Sequence, residues 1–356
     1  MLRDDQIIFR QLFDRTSCTY TYVLACAQTR EAVLIDPVFG HHQRDMALLR
    51  ELELKLVVVL DTHVHADHIT GAWLAREATG CRIGLAKVAE GTLVDLHLSD
   101  GDEIPYGVQR LQVRATPGHT NGCLSFIDER AGAVFTGDAL MIRGTGRTDF
   151  QQGSPRRLYE SIQDQLFSLP EGCIVFPGHD YAGRASSTIG EERAFNPRIG
   201  GGASTTDFVG HLENLDLPHP KHIDAAVPAN IQSGRPHDGV YPTLGAWAPL
   251  TITYAGIPEI TPRWVAANRD RVHLVDVREP DELTGELGAV PDILHVPLDD
   301  FRAKADELPT DLPIVVICRS GRRSGLAVKI LQSTQRTDVA NLQGGMLAWR
   351  KSVGGR

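Results

Sequence analysis

The run Val-Val-Val-Leu-Asp-Thr-His-Val-His-Ala-Asp-His at positions 57–68 constrains this chain more than any other stretch. Its apolar start reads as a buried strand. His63, His65, Asp67 and His68 then fall on the loop at the strand's end. Imidazole and carboxylate together suit zinc, iron or manganese. A core has no use for four such side chains within six residues, and a surface loop rarely gathers them.

The pattern recurs along the chain. Strand-like residues 111–116 lead to Pro117-Gly118-His119, residues 133–136 to Gly137-Asp138, and residues 173–176 to Pro177-Gly178-His179. Each apolar run delivers a metal-ligand type to a strand end, beside a glycine or threonine that lets the backbone turn tightly. Four such ends predict one shared metal-binding rim. His63, His119 and Asp138 have the composition of a facial triad, which on Fe(II) leaves positions open for O2 and substrate. His65, Asp67, His68 and His179 are candidates for a second metal, and two metals would suit hydrolysis. Spacing alone does not choose between these. Asp180, next to His179, reads as a residue that orients a ligand.

With 356 residues, two domains are favoured over one. A net charge of −9 argues against a nucleic-acid partner. The six cysteines, at 18, 26, 81, 123, 173 and 318, form no Cys-x-x-Cys pair and no disulfide framework. Sparse thiols fit a reducing cytoplasm. The start, Met-Leu-Arg-Asp-Asp-Gln, has no signal-peptide character, and no apolar run approaches membrane-spanning length.

In order, strands are expected at 7–9, 20–25 and 32–36, as the antiparallel start of a sheet. Helices are expected at 44–54, 69–79, 191–196 and 206–215. From 218 to 262 prolines recur and apolar periodicity fades, and 232–255 reads as a linker. The first domain is thus 1–231 and the second 256–356. The second alternates strands at 272–277, 295–298, 313–317 and 339–342 with a helix at 324–332, which suits a small parallel sheet. Cys318 ends one of these strands and opens the loop Cys318-Arg319-Ser320-Gly321-Arg322-Arg323. Backbone N–H groups at a helix start, with Arg319 and Arg323 alongside, would stabilise a thiolate or persulfide there.

The motif Thr-His-Val-His-Ala-Asp-His resembles the signature of the metallo-β-lactamase superfamily, which implies an αββα sandwich with metal at one edge of the sheets. Within it, residues 7–230 resemble the persulfide dioxygenases. The matching stretches are Leu34-Ile-Asp-Pro-Val, Pro117-Gly-His-Thr, Phe135-Thr-Gly-Asp-Ala, Ile142-Arg-Gly-Thr-Gly-Arg-Thr-Asp-Phe-Gln-Gln-Gly and Ala226-Val-Pro-Ala-Asn. That resemblance implies one Fe(II) per chain on His63, His119 and Asp138, and oxidation of glutathione persulfide by O2 to sulfite and glutathione. Glutathione carries two carboxylates, so Arg143, Arg147, Tyr181 and Arg184 are its candidate contacts, although any of these arginines could instead be a structural ion pair with a residue such as Asp149. The rival is a dinuclear zinc acyl-glutathione thioesterase of the glyoxalase II type, whose ligand types are all present.

The Cys318 loop resembles the active-site loop of rhodaneses, as do Val275-Asp-Val-Arg-Glu-Pro-Asp-Glu-Leu and Leu342-Gln-Gly-Gly-Met-Leu-Ala-Trp. This implies that Cys318 carries sulfane sulfur between thiosulfate or sulfite and glutathione. A phosphatase loop would place arginine where Ser324 stands. A docking module is the non-enzymatic alternative for this domain, and a homo-oligomer is compatible with every feature above.

Overall fold

The computed structural model describes residues 6–215, 218, 222–240 and 247–353. It divides into two compact units, Met1–Tyr241 and Pro242–Arg356.

The first unit holds two six-stranded sheets among its described residues. The first sheet runs in chain order: β1 (Ile7–Phe13), β2 (Tyr20–Cys26), β3 (Glu31–Ile35), β4 (Lys55–Leu60), β5 (Arg82–Ala86) and β6 (Leu96–Leu98). Its first three strands pair antiparallel and the rest parallel. The second sheet comprises β7 (Glu103–Tyr106), β8 (Gln109–Ala115), β9 (Leu124–Asp128), β10 (Ala133–Gly137), β11 (Ile174–Pro177) and β12 (Ser187–Thr188), again ordered as in the chain. Tyr22, Leu24, Val33 and Val58 of one sheet share a core with Val113, Phe126, Phe135 and Phe176 of the other. Phe135 stacks on Phe176 with ring centres 5.3 Å apart.

Helices cover both outer faces. α1 (His42–Glu51) and α2 (Ala72–Thr79) bury Leu48, Leu49, Ala72 and Ala75 against the back of the first sheet. α3 (Pro155–Ser161), α4 (Ile189–Phe195) and α5 (Thr205–Glu213) bury Leu158, Ile189, Phe208 and Leu212 against the back of the second. This is the expected αββα sandwich. Strands β4, β8, β10 and β11 all end at the rim where the ligand-type residues gather.

Two expectations change here. The helix foreseen from 69 begins at Ala72. The Thr70 N–H is taken by the Asn230 side chain and its hydroxyl by Asp61, so the chain stays extended until Gly71. Residues 223–231, read as irregular, form α6 (Ile223–Ile231) with Pro228 inside it. A proline in a helix removes a bond and strains the turn. Here Asn230 on the same helix makes tertiary bonds that offset that cost.

In the second unit the sheet order is β13 (Thr251–Ile252), β14 (Pro258–Ile260), β18 (Val339–Leu342), β17 (Ile314–Ile317), β15 (His273–Asp276) and β16 (Leu294–His295). All pairs are parallel except β13 with β14. Helices α7 (Pro262–Ala267), α8 (Pro280–Thr284), α9 (Leu298–Lys304), α10 (Arg322–Ser333) and α11 (Gly345–Ser352) complete it. The stretch 295–298 is strand only at its start, since Leu298 already opens α9. Of the expected linker, 241–246 lies outside the described residues, and Thr251–Ile252 is an edge strand because its backbone pairs with β14. Among the described residues no helix is long and apolar enough to cross a membrane.

Candidate metal centre and thiol loop

Three ligand atoms of His63, His119 and Asp138 lie within 4.8 Å of one another. Hydrogen bonds decide which ring nitrogens face the group. Asp36 accepts the Thr62 N–H at 2.7 Å and the Thr62 hydroxyl at 2.9 Å. With its proton committed to Asp36, Thr62 can only accept from His63 Nδ1, 3.0 Å away. That leaves the lone pair of His63 on Nε2. His119 Nδ1 donates to the Arg147 carbonyl at 2.6 Å, so its lone pair is also on Nε2, 3.6 Å from Asp138 Oδ2.

Electrostatics agree with a cation site. Burial, then repulsion from His65 and His119, push the His63 imidazolium well below its ordinary range, so the ring is neutral. Burial would raise the Asp138 carboxyl, but the His179, His119 and His63 rings hold it below the usual carboxylate range. The neutral His63 ring, the His119 ring tied back through Nδ1 and the Asp138 carboxylate form a donor set that fits Fe(II) or zinc.

The backbone is shaped for this. Gly137 takes φ +51, and a Cβ there would lie 2.6 Å from Thr62 Oγ1. At Gly146 a Cβ would meet His119 Nδ1 at 2.6 Å. Both glycines let a ligand-bearing loop approach its neighbour closely.

His179 stands behind the triad. Its Nδ1 is 2.6 Å from Asp138 Oδ1 and its Nε2 is 2.9 Å from Asp67 Oδ2. Burial would lower its pKa, yet Asp138 and Asp67 raise it well above the ordinary value. The same Asp67 oxygen lies 2.9 Å from His68 Nδ1 and accepts from Thr19 Oγ1 at 3.1 Å. His65 Nε2 is 3.2 Å from Asp36 Oδ1. Burial works against the His65 cation, but Asp36 lifts it to about 9. His65, Asp67 and His68 also come close enough to hold an ion, and His65 Nδ1 and His68 Nε2 are buried without a hydrogen-bond partner.

Several residues that shape the centre were not singled out from sequence. Asn230 donates to the carbonyls of His65 and His68 and accepts from the Thr70 N–H, so it clamps the histidine loop. Asp36, Thr62 and Thr19 hold the rings as described. Asp36 and Asn230 each stand in a stretch that carried the family resemblance, but nothing local announces their roles.

The arginines are already engaged. Arg143 pairs with Glu191 and with the buried Glu192, each at 2.5 Å. Arg147 forms a two-pronged pair with Asp149 at 2.7 Å. Arg184 binds Asp180 at 2.8 Å, and Asp180 also accepts the backbone N–H groups of Ala182 and Arg184. Asp180 therefore shapes the loop after His179. Tyr181 is 71% exposed and stacks on the His179 ring, centres 6.1 Å apart.

In the second unit Cys318 follows β17 directly. Its sulfur accepts from the Gly321 N–H and lies 3.2 Å from Ser324 Oγ. Burial would raise the thiol, but the Ser324 hydroxyl and the backbone N–H groups of Ser324, Ser320 and Gly321 bring it below its ordinary value. Helix α10 begins at Arg322, two residues earlier than expected, because Gly321 turns the chain at φ +92. Arg323 is held by Glu282 of α8 through two bonds of 2.6 and 2.7 Å. Arg319 is exposed.

Comparison with known proteins agrees. Residues 16–179 match the metallo-beta-lactamase superfamily and residues 261–352 the rhodanese-like domain. A persulfide dioxygenase ETHE1, mitochondrial, of Homo sapiens is 48% identical over 229 residues, which cover 64% of this chain and 89% of that protein. The crystal structure of ETHE1 from Myxococcus xanthus is 49% identical and covers 64% of this chain and 99% of its own, with a TM-score of 0.62. A metallo-beta-lactamase from Staphylococcus aureus subsp. aureus COL covers 96% of this chain at 23% identity, with a TM-score of 0.59, and shares the fold. The chain belongs to the persulfide dioxygenase family of the metallo-beta-lactamase superfamily, with a rhodanese-like domain fused after the dioxygenase domain.

Proposed function

We propose that the first unit is an Fe(II)-dependent dioxygenase that oxidises glutathione persulfide and that the second transfers sulfane sulfur through Cys318. The net first reaction converts glutathione persulfide, O2 and water into glutathione, sulfite and protons. The observation that carries this reading is the triad of His63, His119 and Asp138, whose histidines are tied back through Nδ1 and so present Nε2. One Fe(II) per chain held there would supply open positions for O2 and the persulfide.

The chain's own residues prepare that site. Thr62 and the Arg147 carbonyl fix two rings, and His179 fixes Asp138. Asp67 is engaged by His68, His179 and Thr19, which draws it away from a second ion. Tyr181 is the most exposed of the proposed glutathione contacts. Arg143, Arg147 and Arg184 would bind a substrate carboxylate by exchanging a protein carboxylate for it. At the second site, Cys318 would take sulfur from thiosulfate and pass it to glutathione, or return it from persulfide to sulfite by the same residues. Arg319 and Arg323 supply positive charge at this loop. Six free cysteines suit a reducing compartment, and we assign the chain to the cytoplasm.

One observation favours a second reading. The unpartnered nitrogens of His65 and His68 suit a second ion, as in a two-zinc thioesterase of acyl-glutathione. Metal content of protein purified without added metal, measured beside O2 uptake with glutathione persulfide, separates the two. One iron per chain with uptake supports the dioxygenase. Two zinc ions without uptake would overturn it and leave Cys318 as the sulfur chemistry.

A further inference from the structure

Behind the Cys318 loop runs a buried polar chain that sulfur transfer, as proposed above, does not by itself require. Ser324 is fully buried, and its hydroxyl lies 3.2 Å from Cys318 Sγ and 2.6 Å from Asn341 Oδ1. Asn341, on β18, is 2% exposed. Its Nδ2 donates to Glu259 Oε1 at 2.8 Å. Glu259 sits on β14 directly opposite Asn341 in the parallel register.

The directions of these bonds are forced. An ionised carboxylate only accepts, so Asn341 must turn its amide nitrogen to Glu259. Its oxygen therefore faces Ser324. A serine hydroxyl has one proton, and here two acceptors compete for it: the Asn341 oxygen and the Cys318 sulfur. The 2.6 Å separation favours the oxygen. If Ser324 turned to the sulfur, a buried carbonyl oxygen would lose its partner, which is costly. While the proton stays turned to the Asn341 oxygen, the sulfur keeps only the backbone N–H donors of its loop, and it gains the lowering effect of the Ser324 hydroxyl when that proton turns to it.

We propose that Glu259 and Asn341 are positioning residues that withhold the Ser324 proton from Cys318, keeping its sulfur more reactive toward an electrophile and less prone to be trapped as a stabilised thiolate. The proton becomes available only when the charge on the sulfur is large enough to outbid the Asn341 oxygen. Other charged groups around the loop are Arg319, Arg322 and Arg323 on its own segment, Glu282 and Glu279 at α8, and the buried Asp276–Arg278 pair at the end of β15.

The inference rests on Cys318 being a working thiolate, and the test reads that thiolate directly, whether or not the chain transfers sulfur. The full chain is alkylated with iodoacetamide across pH 5–9, and modification of Cys318 is followed by mass spectrometry of its peptide. Asn341→Ala removes the competing acceptor and frees the Ser324 proton for the sulfur. The midpoint of the alkylation profile then falls: below it the thiolate fraction rises about three- to tenfold, the worth of one added hydrogen bond, and alkylation is about two- to fourfold faster than in the parent because the stabilised thiolate is a weaker nucleophile. On the alkaline plateau of the profile the variant is slower because its thiolate is better stabilised. Glu259→Ala, at a less buried position on β14, shifts the profile the same way by letting the Asn341 amide turn over. In a Ser324→Ala background both shifts vanish. A profile unchanged by Asn341→Ala overturns the proposal. So does a shift that survives Ser324→Ala, which would mark a simple charge or packing effect. Loss of thiosulfate:glutathione sulfur transfer in the parent, with these profiles as expected, would overturn the transfer reading and leave the proton competition standing.

Discussion

His179 Nδ1 lies 2.6 Å from Asp138 Oδ1, and the same ring reaches Asp67 Oδ2 at 2.9 Å through Nε2. One imidazole thus bridges the carboxylate of the triad and the carboxylate of the neighbouring cluster. Held between two acidic groups, it acts as a cationic strut. In the single-iron reading it orients Asp138 without binding metal.

Replacing this strut tests that role. His179→Ala is expected to keep the fold and weaken iron binding by about 10- to 100-fold, the usual effect of losing a partner behind a metal ligand. Iron retained per chain after dialysis against a graded chelator series checks it. Iron content lost even without chelator would make His179 a direct ligand.

Gly146→Ala should be far more damaging than an ordinary loop substitution. The added methyl would meet both His119 Nδ1 and the Asp138 carbonyl oxygen at 2.6 Å. Either the His119 ring or the loop must move. Substoichiometric iron with a nearly unchanged far-UV circular dichroism spectrum is the expected outcome. Full iron loading would show that the loop yields freely.

His68→Ala separates the one-metal and two-metal readings from the opposite side. His68 contacts Asp67 and Thr19, and its Nε2 has no partner among the described residues. With one iron on the triad, the variant keeps stoichiometric iron and a measurable rate of O2 uptake. With two metals, it loses one of them, which elemental analysis reads directly.

Acid stability of the first unit should depend on His42. This residue is 4% exposed, and burial lowers its pKa from 6.5 to about 4. Above pH 6.5 the ring is neutral in both folded and unfolded chains and costs nothing. As pH falls from 6.5 towards 4, the unfolded chain binds the proton and the folded one does not, so stability is lost. The loss over that window is on the order of 3 kcal/mol. His42→Leu should flatten this part of the stability curve, as read by urea unfolding at pH 7 and pH 4.5. Parallel curves for the two proteins would assign the acid sensitivity elsewhere.

Much of the architecture was legible because periodicity and turn residues are local. The strands at β2, β3, β4 and β10, and the helices α1, α4 and α5, fall within a few residues of expectation, since each buries one face of a regular element. The approach of His63, His119 and Asp138 was legible for a similar reason: strand ends of parallel or neighbouring strands share a rim. The α6 helix was not, because Pro228 and the surrounding loss of periodicity argue against a helix, and only the Asn230 clamp on the histidine loop explains it.

The sequence by itself determined the kinds of chemistry present: imidazoles and carboxylates at four strand ends, and a cysteine at the mouth of an arginine-bearing helix. Side-chain type and strand alternation need no tertiary context. Only the tertiary structure decided which groups are free to act. Arg143 read equally well as a substrate contact or an ion pair until Glu192, 49 positions away, was brought beside it, while Arg147 and Arg184 have nearby partners in Asp149 and Asp180 whose pairing only the folded loops fix. The tautomers of His63 and His119 follow from Thr62 and from the Arg147 carbonyl, and the direction of the Ser324 proton follows from Glu259, 65 positions away in the chain. Hydrogen-bond direction is set by the partner across the fold, and partners distant in sequence meet only when the chain is packed.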